Sequence, residues 1–271
     1  MVISDYKRYQ YGVIFRGAPH VEQQLSSKEC QKLIKYYKGW FVRNLYDFDC
    51  KDETSFWFVI NDKTLTISDL SSEARNQVRR AMHTLDIRHM TKVEMLMNGY
   101  EVYRASYKRY KNIIEPPKQK DAWKNIINNS VAEYWGAFEK ETGKLVAYAE
   151  VLCQNNVAKY TALKGIPEYL NKYYPFYGLL FVMNEYYIDQ KHFFYVTDGA
   201  RSVTEHSNVQ SFFSKFKFRK AYCKLNIQYV WWLKILIYIC YPIKEYIPIR
   251  KMKYLLAFEA MRRNQLERYE M

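Results

Sequence analysis

Residues 173–200 read YYPFYGLLFVMNEYYIDQKHFFYVTDGA. Pro175 opens an apolar run, FYGLLFVMNEYYIDQ (176–190), long enough and free enough of breakers to predict a helix. HFFYVTD (192–198) has the aromatic and β-branched content of a short buried strand. The strand ends in Asp198-Gly199, and a polar passage follows, with Arg201, Thr204, Glu205, His206 and Asn208 inside eight residues. A helix is predicted next, because Ser207 and Gln210 have capping-box spacing ahead of Phe212, Phe213 and Phe216. FRKAYCKLNIQ (218–228) then alternates as a last strand.

Upstream the pattern is also period two. EYWGAFEK and KLVAYAEVL predict a hairpin, with Gly143 at its left-handed turn position, and VAKYTALKG (157–165) predicts a third strand. PEYLNKYYP (167–175), bounded by prolines, reads as a loop. From residue 130 the order is strand, strand, strand, helix, strand, helix, strand. Helices between strands imply crossovers, so the fold class is α/β with a sheet of mixed direction.

The first half is less regular. LSSKECQKLIKYY (25–37) predicts a short helix capped by Ser26 or Ser27, and FWFVIND (56–62) a strand closed by Asn61-Asp62. SSEARNQVRRAMHTLD (71–86) predicts a helix with an apolar stripe of Ala74, Val78, Ala81, Met82 and Leu85. Arg75, Asn76, Arg79, Arg80 and His83 fall opposite it. That basic face is either a solvated surface or a phosphate site, since guanidinium forks match phosphate oxygens. VEMLMNGYEVYRASYKRY (93–110) continues as a second helix, and IIEPPKQKDAW (113–123) is the best internal linker. Three regions follow: an N-terminal extension (1–54), a central domain (55–228) and an aromatic, basic helical tail (229–271).

The chain has 271 residues, 49% of them hydrophobic, which excludes disorder and fibrous classes. Its net charge of +14 suits a polyanionic partner: nucleic acid, an anionic membrane face or a phosphate-bearing ligand. Five scattered cysteines show no zinc-ligand spacing, and MVISDYKRYQ lacks an apolar signal region. Reduced thiols, no metal and a cytoplasmic location are expected.

Three stretches resemble the GNAT superfamily of acyl-CoA N-acyltransferases, and more closely its FemAB-like branch. SSEARNQVRRAMHTLDIR is similar to the family's Arg-rich first helix, 173–200 to its segment of proline, long helix, buried strand and Asp-Gly, and NVQSFFSKFKFRKAYCKL to its closing unit. The likeness covers roughly 55–228 and lies in pattern more than in identities. It implies transfer of an acyl or aminoacyl group onto an amine, with a sugar or cell-envelope precursor as the candidate acceptor. One departure stands out. Where acetyl-CoA-binding members carry a Gly-rich pyrophosphate turn, this chain reads LKGIPEYLNKYYPFYG, with Lys164 and Lys172 near the helix start. The donor is thus open among a CoA thioester, an aminoacyl-tRNA and another activated acyl group.

In open α/β sheets ligands bind beyond the carboxyl ends of strands. Asp198, Glu205 and His206 are therefore the candidate acid/base residues. Arg75, Arg79, Arg80, Gly199, Arg201, Asn208 and Tyr174 are the candidate binding residues. The alternative for Asp198 and Arg201 is a simple turn. The rival function is a non-catalytic nucleic-acid binder using its charge and aromatics.

In the tail, Val230–Ile243 is apolar except for Lys234, but a spanning helix needs about 20 residues and Pro242 interrupts this one. It either completes the core or lies on an anionic membrane face. Both readings stay open, and the second predicts a peripheral association weakened by salt.

Overall fold

The structure is a computed structural model that describes residues 2–109, 116–200 and 207–267. In chain order the elements are β1 (Tyr6–Tyr9), β2 (Gly12–Phe15), α1 (Ser27–Tyr37), β3 (Phe41–Tyr46), β4 (Phe56–Asn61), α2 (Ser72–Thr84), β5 (Leu85–Met90), α3 (Lys92–Ser106) and α4 (Lys120–Asn129). They continue as β6 (Glu133–Glu139), β7 (Leu145–Gln154), β8 (Val157–Gly165), α5 (Pro167–Tyr173), α6 (Pro175–Asn184), β9 (Tyr195–Ala200), α7 (Ser207–Ser214), β10 (Arg219–Tyr229), α8 (Trp231–Cys240) and α9 (Arg250–Glu267). The chain folds as two compact units. One takes residues up to 59 and from 220 onward; the other holds 60–199 and 207–219.

In the first unit β1 and β2 are antiparallel, β2 and β3 parallel, and β3 and β10 antiparallel, with Val42 opposite Gln228. The parallel step needs a crossover, and α1 supplies it. Ser26 and Glu29 close a reciprocal capping box at its start, and Cys30 and Leu33, on one face, pack with Tyr6, Val13 and Val42. Glu22 is buried beside this sheet, where its carboxylate accepts from Asn44 Nδ2 at 3.0 Å and from the Leu45 amide at 3.1 Å. Leu233 and Ile237 of α8 and Leu256 and Met261 of α9 join Phe56, Leu225 and Ile227 in one core.

In the second unit the strands run β9-β8-β7-β6-β5, antiparallel from β5 to β8 and parallel between β8 and β9. Alternate residues of β6 point to opposite faces. Tyr134 and Phe138 pack with Met95, Val102, Trp123 and Ile127 of α3 and α4. Trp135 faces the other way and donates from Nε1 to Tyr187 Oη at 3.0 Å, on the π-helical turn (Glu185–Gln190) that continues α6. Both faces are covered, so β6 and β7 are buried along most of their length.

The predicted strands at 56–62, 133–140, 144–152, 157–165, 192–198 and 218–228 all form, with small shifts of boundary, as do the predicted helices at 25–37 and 176–190. Gly143 sits at φ +69, as its turn requires. Four local readings are corrected. The early chain forms β1, β2 and β3 around its one predicted helix. LDIRHM is the edge strand β5, so the helix predicted over 71–86 ends at Thr84, and Met82 is exposed instead of completing the stripe. The predicted linker at 113–123 runs into α4, whose Trp123 and Ile127 lie four apart and are buried. PEYLNKYYP is a helix, α5, with Pro167 at its first position, Glu168 in its first turn and Lys172 in its last.

Candidate functional site

Strands β8 and β9 pair over Val157–Lys159 and Tyr195–Thr197. From there β8 runs on to Gly165 and β9 to Ala200. Two parallel strands joined at their amino ends and parted at their carboxyl ends leave a crevice between them, where open α/β sheets take ligands.

Asp198 is the first residue of β9 past the pairing, and partial burial raises its carboxyl from 3.8 to about 7, with Lys159 pulling the other way. Gly199 is buried and holds φ +102, outside the range of an ordinary side chain, while its amide donates to Thr197 Oγ1 at 2.9 Å. A Cβ there would sit 3.5 Å from Lys159 Cε, an ordinary contact, so conformation and not space calls for glycine. These residues form one small constellation: a carboxyl that titrates near neutrality, a lysine across from it, and a backbone only glycine adopts.

A cavity of about 190 Å³ lies at the start of α6, lined by Gln77, Arg109, Leu170, Asn171, Tyr174, Phe176, Tyr177 and Phe212. It adjoins the carboxyl end of β8, because a Cβ on Gly165 would lie 3.1 Å from Phe176. Its walls are aromatic and its rim is cationic. The Arg80 guanidinium stands 5.9 Å from the Tyr174 ring centroid, and that of Arg109 6.0 Å from Phe176. Lys215 donates to Tyr177 Oη at 3.0 Å and lies 3.3 Å from Glu73 Oε1. The Tyr177 hydroxyl and Glu73 together hold Lys215 charged above its usual range.

The predicted site residues divide. Tyr174 lines the cavity in the left-handed conformation, φ 53, with Arg80 over it. Arg79 is exposed on the same helix. Arg75 is engaged locally: Nε donates to the Ile67 carbonyl at 3.2 Å, and Nη2 to the carbonyls of Ser68 at 3.1 Å and Leu70 at 3.0 Å. Asp198 and Gly199 lie at the strand parting and are not among the residues lining the cavity. Arg201, Glu205 and His206 lie outside the described residues, as do the side chains of Asn208 and of the Ser207/Gln210 capping pair. Lys159, Tyr177 and Lys215 were not singled out from the sequence. Lys159 was legible as the one charge in the apolar start of a strand, VAKYTA. Lys215 and Tyr177 lie 38 residues apart, and only the fold brings them together.

A helix start binds a pyrophosphate through free backbone amides, and this one has few. Pro175 has no N–H. The amides of Tyr177 and Gly178 both donate to the Tyr174 carbonyl, at 2.9 and 3.4 Å. Of residues 175–178 that leaves the Phe176 amide, where a phosphate cradle presents several. Among the described residues no group of three or more His, Cys, Asp or Glu side chains could hold a metal ion.

No known family profile matches the sequence, and no curated protein matches it. Among solved structures the chain is similar to FemX, at a TM-score of 0.55 and 10% identity, over 80% of this chain and 81% of that one. It also matches L-PGS from Bacillus licheniformis, at 0.48 and 12% identity, over 83% of this chain and 79% of that one. A third match is the C-terminal (DUF2156) domain of a protein described as a lysylphosphatidylglycerol synthetase from Agrobacterium fabrum. There the score is 0.49 and the identity 10%, over 80% and 78% of the two chains. At such identities a likeness speaks to fold alone, and FemX is the one of the three that carries it. The chain has the fold of FemX, as its resemblance to the FemAB-like branch leads one to expect.

Proposed function

We propose that this protein transfers an activated acyl or aminoacyl group onto an amine of a cell-envelope precursor. The observation that carries the reading is Asp198, a carboxyl with an affinity for protons near pH 7, at the parting of β8 and β9 in a FemX-like fold. An amine attacks only when neutral, and a base poised near the working pH is the most effective at taking its proton. The amine nitrogen bonds to the acyl carbon, the Asp198 carboxylate receives the amine's proton, and the ester or thioester bond breaks as that proton passes to the departing oxygen or sulfur. Lys159, across from Asp198, offers positive charge to the oxygen on which charge develops, and Gly199 lets the backbone come close to the reacting groups.

The donor on this reading is an aminoacyl-tRNA, with its terminal nucleotide at the aromatic cavity and its acyl carbon beyond the cavity, at the strand parting where Asp198 lies. Two observations support that choice: the helix start offers few amides to a pyrophosphate, and Arg80, Arg109 and Lys215 stand around the cavity. Arg79, exposed on the same helix, is assigned to the phosphate backbone beyond the cavity.

The test is acceptor-dependent deacylation. A panel of charged tRNAs and short acyl-CoAs is offered together with amino-sugar and lysyl-peptide acceptors, and acceptor mass is followed. Transfer from a charged tRNA, lost by more than about 100-fold in Asp198→Asn, is expected. Transfer from acyl-CoA alone would overturn the donor, and full activity of Asp198→Asn would overturn the base. RNA binding with no transfer from any donor would point instead to a nucleic-acid-binding protein.

A further inference from the structure

We propose that the outer face of α8 and the turn after it dock on an anionic lipid bilayer. The inference is independent of the catalytic reading and rests on residues of the first unit alone.

Helix α8 reads WWLKILIYIC and is apolar all round but for Lys234. A helix of that kind normally lies inside a core or in contact with lipid. Only one side of this one is covered: Leu233 and Ile237 enter the core with Leu225, Ile227 and Phe56. Trp231, Ile235, Tyr238 and Ile239 fall at i, i+4, i+7 and i+8, and all are exposed, Trp231 to 76% and Tyr238 to 75%. The 3-10 turn that follows, Tyr241–Tyr246, adds Ile243 and an 86% exposed Tyr246. Isolated exposed apolar residues are ordinary, but a continuous set along a helix and its following turn marks a contact surface.

The chemistry around this face selects lipid as the occupant. Between residues 229 and 253 the cations are Lys234, Lys244, Arg250, Lys251 and Lys253, against the single acid Glu245. Lys234 is exposed on α8 itself, three residues after Trp231 and four before Tyr238, so positive charge sits at the strip, and Arg250 and Lys253 are exposed on α9. Tryptophan and tyrosine, apolar bodies with a polar edge, settle at headgroup depth, and cations are drawn to anionic headgroups beside them. No described helix is long and apolar enough to cross a membrane, which leaves an in-plane contact as the geometry for this strip.

The test uses the full chain and two kinds of vesicle, phosphatidylcholine alone and phosphatidylcholine with phosphatidylglycerol at 3:1. The triple variant Trp231→Ser/Tyr238→Ser/Ile239→Ser changes exposed positions only, and its thermal unfolding is measured alongside. Wild type is expected to co-sediment with the anionic vesicles, more weakly at high salt, and the variant to lose binding by about 10-fold or more with its melting unchanged. Tryptophan emission should shift to the blue on binding and be quenched by brominated lipid in wild type only. Wild type remaining in the supernatant at low salt would overturn the proposal. So would equal binding by the variant, which would assign adhesion to charge elsewhere. A concentration-dependent dimer that the variant abolishes, with no vesicle binding, would assign the face to a second copy of this chain.

Discussion

Asp198 couples stability to chemistry, and the sign of that coupling can be worked out. Its carboxyl titrates near 7 in the folded protein, because burial opposes its charge, against an ordinary value of 3.8. Between those values the folded state keeps a proton that the unfolded state has released. Stability therefore falls as pH rises from about 4 to 7 and stays lower above it. Asp198→Asn removes the penalty, so it should stabilise the protein at pH 8 by about 2 kcal/mol, discounted for partial exposure, and by nothing near pH 3. Denaturant midpoints at the two pH values check this, and a stabilisation equal at both would refute the linkage. The rate should rise with pH through about 7 in wild type, since only the ionised carboxyl accepts a proton, and that limb should vanish in the variant. Gly199 beside it makes the opposite trade. At φ +102 an added Cβ is strained whatever the space around it, so Gly199→Ala should cost about 1–3 kcal/mol in a urea titration. An unchanged midpoint would mean that the backbone there is ordinary.

Helix α2 separates two roles that one sequence pattern had merged. Arg75, Arg79 and Arg80 all fall opposite the buried Ala74, Val78 and Ala81, yet Arg75 ties the helix to the carbonyls of Ile67, Ser68 and Leu70. Arg75→Gln should therefore lower stability by about 1 kcal/mol. Arg79→Gln/Arg80→Gln should stay within about 0.5 kcal/mol of wild type and raise the KM for a phosphate-bearing donor. Melting curves and steady-state kinetics on both variants distinguish them, and equal KM values would leave the arginine pair as solvated surface. The same distinction explains what sequence reading reached. Periodicity located α1, α2, α6 and the strands from β6 onward, because each buries one clear face or two. It missed β5, whose Leu85 also satisfied the helical stripe before it, and α5, whose leading proline reads equally as a loop or a helix start. Asp198-Gly199 was legible because a strand ending in Asp-Gly is conspicuous in one dimension. The cavity was not, since Gln77, Arg109, Tyr174 and Phe212 meet only after four elements have packed.

At the scale of the molecule, the chain's two ends belong to one unit, which a linear reading cannot anticipate. β3 lies between β2 and β10, so residues near 42 find their antiparallel partners near 228. Helices α8 and α9 then seal the sheet that both ends build. The apolar run 230–243 does two things at once: Leu233 and Ile237 are core, while Trp231, Tyr238 and Ile239 face outward. The two readings of the tail, core or surface, are therefore two sides of one helix. This gives a paired prediction. Leu233→Ala removes a fully packed side chain and should cost about 2–5 kcal/mol, the range for buried leucines. It should also speed amide exchange in β3 and β10, because that core holds both strands down. The outward variant Trp231→Ser should stay within about 0.5 kcal/mol of wild type and leave exchange in those strands unchanged. Hydrogen-exchange mass spectrometry of the two variants measures both at once. If Leu233→Ala left β3 and β10 as protected as in wild type, the tail would be an appendage to the unit and not part of its core.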